Sequence, residues 1–217
     1  ISISENTKRD IIKFTNCPAD KIKVIYQSVK SFFKIKKIDI KETCKKYKIP
    51  YEKKKILISG NIFYKNNKIS YKVIEELIKK DENIILLHLG GVKNQSYSNK
   101  LIENKHYFIL NNLDYKEIPN IYKISDVFFF PSIYEGYGLP LIEAMKCGLP
   151  VICSNNSSIP EIINDAGLSS QCDDINFFVQ NIYKILTNKL KRKEYVEKSI
   201  NRSHYFNLEK HNQEILN

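Results

Sequence analysis

The stretch Val127-Phe-Phe-Phe-Pro-Ser-Ile-Tyr-Glu-Gly-Tyr-Gly-Leu-Pro-Leu-Ile-Glu-Ala-Met-Lys146 decides how the rest of the chain is read. Its first four residues are an unbroken apolar run of strand length. A strand with water on one side alternates apolar and polar residues, so an unbroken run marks a strand buried on both faces. Its last eight, Leu139–Lys146, keep their apolar residues on one helical stripe. Pro140 suits the first turn of that helix, where its missing N–H costs nothing. The segment therefore reads as strand, glycine loop, helix.

The same alternation runs outward in both directions. Further strands are expected at Lys23–Tyr26, Ile56–Ser59, Ile84–Leu89, Tyr107–Leu110, Val151–Cys153 and Leu168–Ser170. Amphipathic stretches lie between most of them: Tyr71–Lys80 sets Val73, Ile74, Leu77 and Ile78 on one stripe, and Ile118–Lys123 behaves likewise. Strands alternating with helices imply an α/β fold, a Rossmann-like doubly wound parallel sheet of six strands over roughly residues 50–203. From Asn176 onward only helices are expected, with Lys189–Lys198 a charged, solvated stretch.

A boundary falls within Ser28–Tyr51. Before it stands a strand–helix–strand unit, Ile1–Ser4, Glu5–Phe14 and Lys23–Tyr26, too small to be a domain of its own. Residues 1–38 are read as the tail of a preceding domain plus linker, 39–203 as the main domain, and 204–217 as a last helix crossing back toward the tail. The chain does not begin with Met and reads as a piece of a longer one. Exposed strand edges in the tail would invite self-association.

The loop between strand and helix carries the chemistry. In an open α/β sheet, ligands bind beyond the carboxyl ends of the strands, and residues 131–138 lie at such an end. Gly136 and Gly138 let the backbone come close to a ligand. The free N–H groups near Leu139 offer a phosphate the positive end of a helix dipole. Glu135 stands in the loop and Glu143 eight residues later, inside the helix. One carboxylate is placed for a sugar hydroxyl, the other for a second polyol farther along the same crevice. The bland alternative has Glu143 pairing locally and Glu135 solvated in the loop.

Composition narrows the classes. The chain has 217 residues, 42% hydrophobic, enough for a real core. No stretch approaches the length of a membrane-spanning helix. The net charge is +11, but Lys supplies 32 of the 35 basic residues, and Lys, Ile and Asn together make up 88 residues. Such a profile matches an A- and T-biased genome. With only three Arg, the residue that reads bases in bidentate fashion, nucleic-acid binding is not expected. The densest basic segment, Lys30 to Lys55, holds 11 Lys against Asp39, Glu42 and Glu52. It reads as a solvated linker and helix face. Its second reading is a weak, salt-screened attraction to an anionic membrane or substrate. Five cysteines without a CxxC pair read as free thiols in a reducing, cytoplasmic compartment. The four histidines show no metal-ligand spacing with them. His88 reads as a packed strand residue, Gly90-Gly91 as a turn, and Glu161 as a support for its own loop. Asn111 and Asn112 follow a strand end within reach of a base.

Glu135 and Glu143, with Gly136-Tyr-Gly-Leu-Pro140 between them, also resemble the E-x7-E motif of the retaining glycosyltransferases of family 4, the group 1 transferases. The resemblance extends in register to Ile3–Asp10, Lys23–Tyr26, Ile56-Leu-Ile-Ser-Gly60, Ile118-Pro-Asn-Ile-Tyr122, Ser154–Glu161 with Asp165-Ala-Gly167, and Tyr205–Glu209. It implies the GT-B fold: two Rossmann-like domains, with the nucleotide-sugar donor held in the C-terminal one. This chain then comprises that domain and a remnant of the N-terminal, acceptor domain. The resemblance gives Glu135 the donor sugar and Glu143 the nucleotide ribose. It gives the backbone of Gly136, Tyr137, Gly138 and Leu139 the sugar and diphosphate. A basic pair after Gly60 normally neutralises the diphosphate. Lys65 fits the first position, but Asn66 stands at the second, and Lys68 is its nearest substitute. Asn207 replaces an expected Trp.

The implied reaction is transfer of a hexose, with retention, from a GDP- or UDP-linked sugar to a glycan or lipid-linked acceptor. GDP-mannose is the favoured donor. No further cofactor and no metal are expected. The implied place is the cytoplasm, with peripheral contact at the inner face of a membrane as an additional option. The fragment alone is expected to bind donor but to turn over little. Two other classes stay open: a GT-B epimerase or phosphorylase, and a non-catalytic nucleotide-sugar-binding module.

Overall fold

The computed structural model describes residues 1–91, 101 and 105–216. A single six-stranded parallel sheet forms its centre, in the order β3-β2-β1-β4-β5-β6. The strands are β1 (Lys54–Ser59), β2 (Ile84–Leu89), β3 (Tyr107–Leu110), β4 (Val127–Phe130), β5 (Val151–Ser154) and β6 (Gly167–Ser170). The helices are α1 (Glu5–Thr15), α2 (Ile40–Lys46), α3 (Asn67–Lys80), α4 (Ile118–Ile124), α5 (Leu139–Lys146), α6 (Ile159–Ile163), α7 (Ile175–Thr187), α8 (Lys189–Ser203) and α9 (Leu208–Leu216). This is the Rossmann-like α/β architecture expected from the alternation of strands and helices.

Unbroken apolar strands bury both faces, and β4 shows how. Phe128 and Phe130 point into one core with Leu57, Ile85 and Leu87, closed by Tyr122 of α4 and Leu141, Ile142 and Met145 of α5. Val127 and Phe129 point into the other with Ile56, Ile58 and Leu86, closed by Ile74 and Leu77 of α3 and Phe178 and Ile182 of α7. All four β4 residues are at most 1% exposed. Burial of such side chains contributes about 1.5–3 kcal/mol each, which is why a polar residue within these runs would not be tolerated. The strand order reverses between β1 and β4, so the loops after these two strands diverge and leave a crevice between them.

Residues 1–27 differ from the expected strand–helix–strand unit. Helix α1 is present, but the two strands reduce to one bridge, Ser2 to Val24. The reason is local: Ser4 already caps α1, its side chain accepting from the Thr7 N–H, so the extended stretch ends after three residues. The edge offered to a second chain is therefore one bridge long. Helix α9 lies against this segment, where His211 Nδ1 meets the Tyr26 carbonyl at 3.0 Å. The charged stretch from Lys189 is the helix α8, and its Tyr195, Ser199 and Ser203 turn inward.

Candidate active site

The loop after β1 and the loop after β4 are joined before any ligand arrives. Gly60 leaves β1 with φ +83°, a left-handed conformation that favours glycine. The chain then makes one 3-10 turn, Phe63–Lys65. The Ile133 N–H donates to the Tyr64 carbonyl at 2.8 Å, linking the two loops. Lys65 Nζ reaches across and donates to Glu135 Oε1 at 2.8 Å. Only 11% and 10% of their side chains are exposed. The ammonium also sits 4.4 Å from the centre of the Phe130 ring, a cation–π contact at the end of β4. Two of the expected site residues, one from each loop, thus meet at the switch of strand order.

Asn66 explains its own departure from a basic residue. It adopts φ 56°, a conformation asparagine tolerates better than lysine. Its side-chain amide donates to the carbonyls of Pro131 at 3.1 Å and Cys172 at 2.9 Å. It therefore ties three loop regions together from the N-cap position of α3, where its side chain makes no cap hydrogen bond. Lys68 stands exposed in the first turn of that helix.

The glycine loop is held from behind. Ser158, fully buried, turns its hydroxyl toward the carbonyls of Glu135 and Tyr137, at 2.9 and 2.8 Å. The Glu135 N–H donates to Ser157 Oγ at 2.8 Å. The Gly136 carbonyl accepts from Ser4 Oγ at 2.7 Å and Thr7 Oγ1 at 2.9 Å, so residues 1–15 grip the loop from outside. The Tyr137 ring stacks near Tyr26, and its hydroxyl donates to the Gln27 carbonyl at 2.6 Å. That side chain serves the linker. Gly138, at φ +104°, opens α5 with Leu139 and Pro140 in its first turn. No side chain caps this helix start. Its N–H groups are the positive end of the dipole that an anion would meet.

Glu143 lies one turn into α5, buried at 7% exposure. Tyr115 donates to its Oε1 at 2.7 Å and Tyr122 to its Oε2 at 2.9 Å. Burial pushes its carboxyl above the usual range, and the two tyrosine hydroxyls pull it back down. Tyr122 is a core residue, whereas Tyr115 stands at the rim, 45% exposed. Phe32 and Phe33 of the linker pack edge-on against Tyr115, both with ring centres at 5.3 Å. Neither tyrosine is marked as a site residue by sequence. The signal available was Tyr122 within the Ile118–Tyr122 match; Tyr115 carried none.

His88 is a packed residue with a supporting task. Its Nε2 lies 2.7 Å from the Gly60 carbonyl and so donates to it, leaving Nδ1 to accept from the Tyr107 hydroxyl at 2.6 Å. Burial holds its pKa below the ordinary value, so it is neutral. It fixes the glycine from which Lys65 departs. Gly91 must be glycine here, because a Cβ would stand 2.8 Å from the His88 ring. Asn111 donates to the Gly91 carbonyl at 2.8 Å. Glu161 supports not its own loop but α1: it accepts from the N–H groups of Glu5 and Asn6 at 2.9 and 3.0 Å, and from the Tyr26 hydroxyl at 2.9 Å.

Among the described residues, no helix is long and apolar enough to cross a membrane. No group of three or more His, Cys, Asp or Glu side chains is placed among them to hold a metal ion.

Comparison with known proteins identifies the fold and the family. The crystal structure of Anabaena HepE in complex with UDP and glucose superposes with a TM-score of 0.84 at 18% identity, covering 99% of this chain and 61% of that one. O-antigen chain mannosyltransferase B of Escherichia coli is 44% identical over 71 residues, 33% of this chain and 19% of that protein. Serotype-specific mannosyltransferase WbdA of Escherichia coli is 25% identical over 205 residues, 87% of this chain and 24% of that protein. The chain thus spans less than half the length of these curated relatives. The family model described as glycosyl transferases group 1 matches residues 39–202, most of the chain. The chain therefore belongs to the group 1 glycosyltransferases.

Proposed function

We propose that this chain is the donor-binding part of a retaining, family 4 enzyme. The enzyme transfers a hexose from a nucleoside diphosphate sugar to a glycan or lipid-linked acceptor. The observation that carries the reading is the meeting of Lys65 and Glu135 at 2.8 Å, four residues before Leu139, where the uncapped α5 starts. That arrangement sets one cation, one sugar-binding carboxylate and a row of free N–H groups along a single loop. In the transfer, the bond from the anomeric carbon to the diphosphate oxygen breaks and the diphosphate leaves with the electron pair, while the acceptor hydroxyl oxygen bonds to that carbon and its proton leaves with the diphosphate. Its growing negative charge needs stabilising. Lys65 and the N–H groups of Gly138 and Leu139 supply positive potential there. Glu135 orients the sugar through its hydroxyls, and Glu143 accepts from the ribose.

Mannose on GDP is the favoured donor. Two of the relatives above are mannosyltransferases by name, and Glu117–Tyr122 with Ser157–Glu161 resemble mannosyl- and rhamnosyl-type members. Titration calorimetry of this chain with GDP-mannose, UDP-glucose and ADP-glucose tests the reading. Binding of GDP-mannose in preference to the others is expected. Preference for a UDP sugar would overturn the donor assignment, and binding of none would overturn donor binding itself. Release of free nucleotide by the full-length protein separates a transferase from a non-catalytic module.

A further inference from the structure

A second concentration of positive charge lies outside the residues of the donor crevice. Lys34 and Lys36 of the linker, Lys116 of the turn before α4, and Lys123 of α4 line one groove of about 330 Å³. Ser31 and Asn120 add a hydroxyl and an amide to its wall. Every polar side chain in this lining can donate a hydrogen bond, and none carries negative charge.

Several lysines elsewhere pair with acids. Lys54 meets Asp81, Lys79 meets Glu76, and Lys191 and Lys198 share Glu194. Among the described residues none of the four groove lysines makes an ion pair. The neighbouring acid is already engaged: Glu117 is held by Lys46 and by the Tyr47 hydroxyl. Asp114 accepts from the Lys116 backbone N–H instead of from its ammonium. Unpaired lysines are common on this surface, but these four line one concavity that no acidic side chain shares. Four unpaired ones around a single concavity repel each other, and an anion in the groove would relieve that repulsion. The concave wall, partly apolar through Phe32 and Pro119, concentrates the field more than an open surface would.

We propose that this groove binds a phosphate-bearing ligand. Compact ammonium groups on flexible stems suit a phosphate whose oxygens have no fixed orientation, whereas planar guanidinium groups would demand one. Two sources present this chemistry: the headgroup of an anionic lipid and a soluble polyphosphate.

The test uses the whole 217-residue chain and two probes. Inorganic pyrophosphate is titrated calorimetrically, and co-sedimentation is measured with vesicles of phosphatidylcholine, with and without one-third phosphatidylglycerol. Three variants are compared with the wild type. The groove variant combines Lys34→Gln, Lys36→Gln, Lys116→Gln and Lys123→Gln. A charge control combines Lys72→Gln, Lys80→Gln, Lys184→Gln and Lys189→Gln, four exposed lysines on other faces. Lys65→Gln reports pyrophosphate that enters the donor crevice instead. At one lysine's worth of surface attraction each, the groove variant should bind its probe on the order of 1000-fold more weakly, while the charge control retains binding within a few-fold. Raising the salt should weaken wild-type binding in step. Loss on anionic vesicles alone assigns a lipid headgroup, and loss on pyrophosphate alone assigns a soluble ligand. Equal loss in the charge control, unchanged binding in the groove variant, or no wild-type binding to either probe overturns the proposal. Should the fourfold variant not fold, the pair Lys34→Gln and Lys36→Gln, in irregular linker, gives the same readings at about 30-fold.

Discussion

Lys65 and Glu135 neutralise each other across the join of two loops, with Nζ and Oε1 2.8 Å apart and little water around either. Each therefore spends, in the free protein, the charge that a donor would otherwise meet. A nearly buried pair loses much when only one member is removed, because the other is left desolvated and alone. The two removals should have opposite effects on an anion. Glu135→Gln frees the ammonium and should tighten the binding of a bare nucleoside diphosphate by roughly tenfold, the worth of about one charge-assisted hydrogen bond. Lys65→Gln should weaken it by a similar factor. Calorimetry with GDP and UDP checks both, and effects of the same sign in the two variants would show that the pair does not face the diphosphate.

Glu143 offers a second, independent handle. Its carboxyl is raised by burial and lowered by the hydroxyls of Tyr115 and Tyr122. An ionised carboxylate accepts the hydrogen bonds of a ribose diol more strongly than a protonated carboxyl, one of whose oxygens carries the proton. Binding that depends on it is then present at high pH and lost as pH falls through the folded-state pKa. Tyr115→Phe removes one of the two groups that hold this value down, so the loss should begin at higher pH than in the wild type. Tyr122→Phe, in the core, should do the same and also lower stability by about 1.5–3 kcal/mol. Nucleotide affinity measured across the acid range checks both, and profiles that coincide for all three proteins would remove Glu143 from the ribose site.

What the residues alone reveal, and what they do not, follows from the range of each signal. Buried strands reveal themselves locally, because Val127–Phe130 and Ile84–Leu87 carry no polar residue in either face's positions. The helix start at Leu139 is equally local, fixed by Gly138 and Pro140. Partners are not local. Tyr115 meets Glu143 across 28 positions, Lys65 meets Glu135 across 70, and Ser4 meets Gly136 across 132. Periodicity says that a side chain is buried but not what it touches. Asn66 shows the same limit: a missing charge was readable, whereas the two carbonyls it holds instead were visible only in the fold.

His88 links the core to the site through pH. Its imidazole is buried and neutral, with a folded-state pKa below its ordinary value of 6.5. The unfolded chain takes up a proton there before the folded one does. The stability it contributes is therefore fully present above pH 6.5 and lost as pH falls toward the folded-state value. The slope from this one group is at most about 1.4 kcal/mol per pH unit. His88→Gln keeps a donor for the Gly60 carbonyl but removes the titration. Chemical denaturation at several pH values between neutral and mildly acid should show a shallower decline in that variant. Parallel declines would assign the acid sensitivity to other groups.

Glu161 holds the first helix to the body of the protein. It accepts both N–H groups at the start of α1 and the Tyr26 hydroxyl, while its own helix, α6, is fastened from the other side by Arg202, which donates to the carbonyls of Glu161 and Ile162. No α1 residue is fully buried, so this carboxylate and the two hydroxyls on Gly136 carry much of its attachment. A carboxylate on free N–H groups at a helix start contributes through charge-assisted hydrogen bonds and the dipole together. Glu161→Ala should therefore loosen residues 1–15 before it loosens the sheet. Limited proteolysis should cut the α1 region of the variant at least about tenfold faster, as expected for losing roughly 1.5 kcal/mol or more of local attachment. Because Ser4 and Thr7 hold the Gly136 carbonyl, donor affinity should fall in the same variant although Glu161 touches no donor atom. Thr7→Val combined with Ser4→Ala should reproduce the loss of affinity by removing the grip directly. If cleavage accelerates while affinity stays at the wild-type value in both variants, the first helix is a passenger on the loop and not its support.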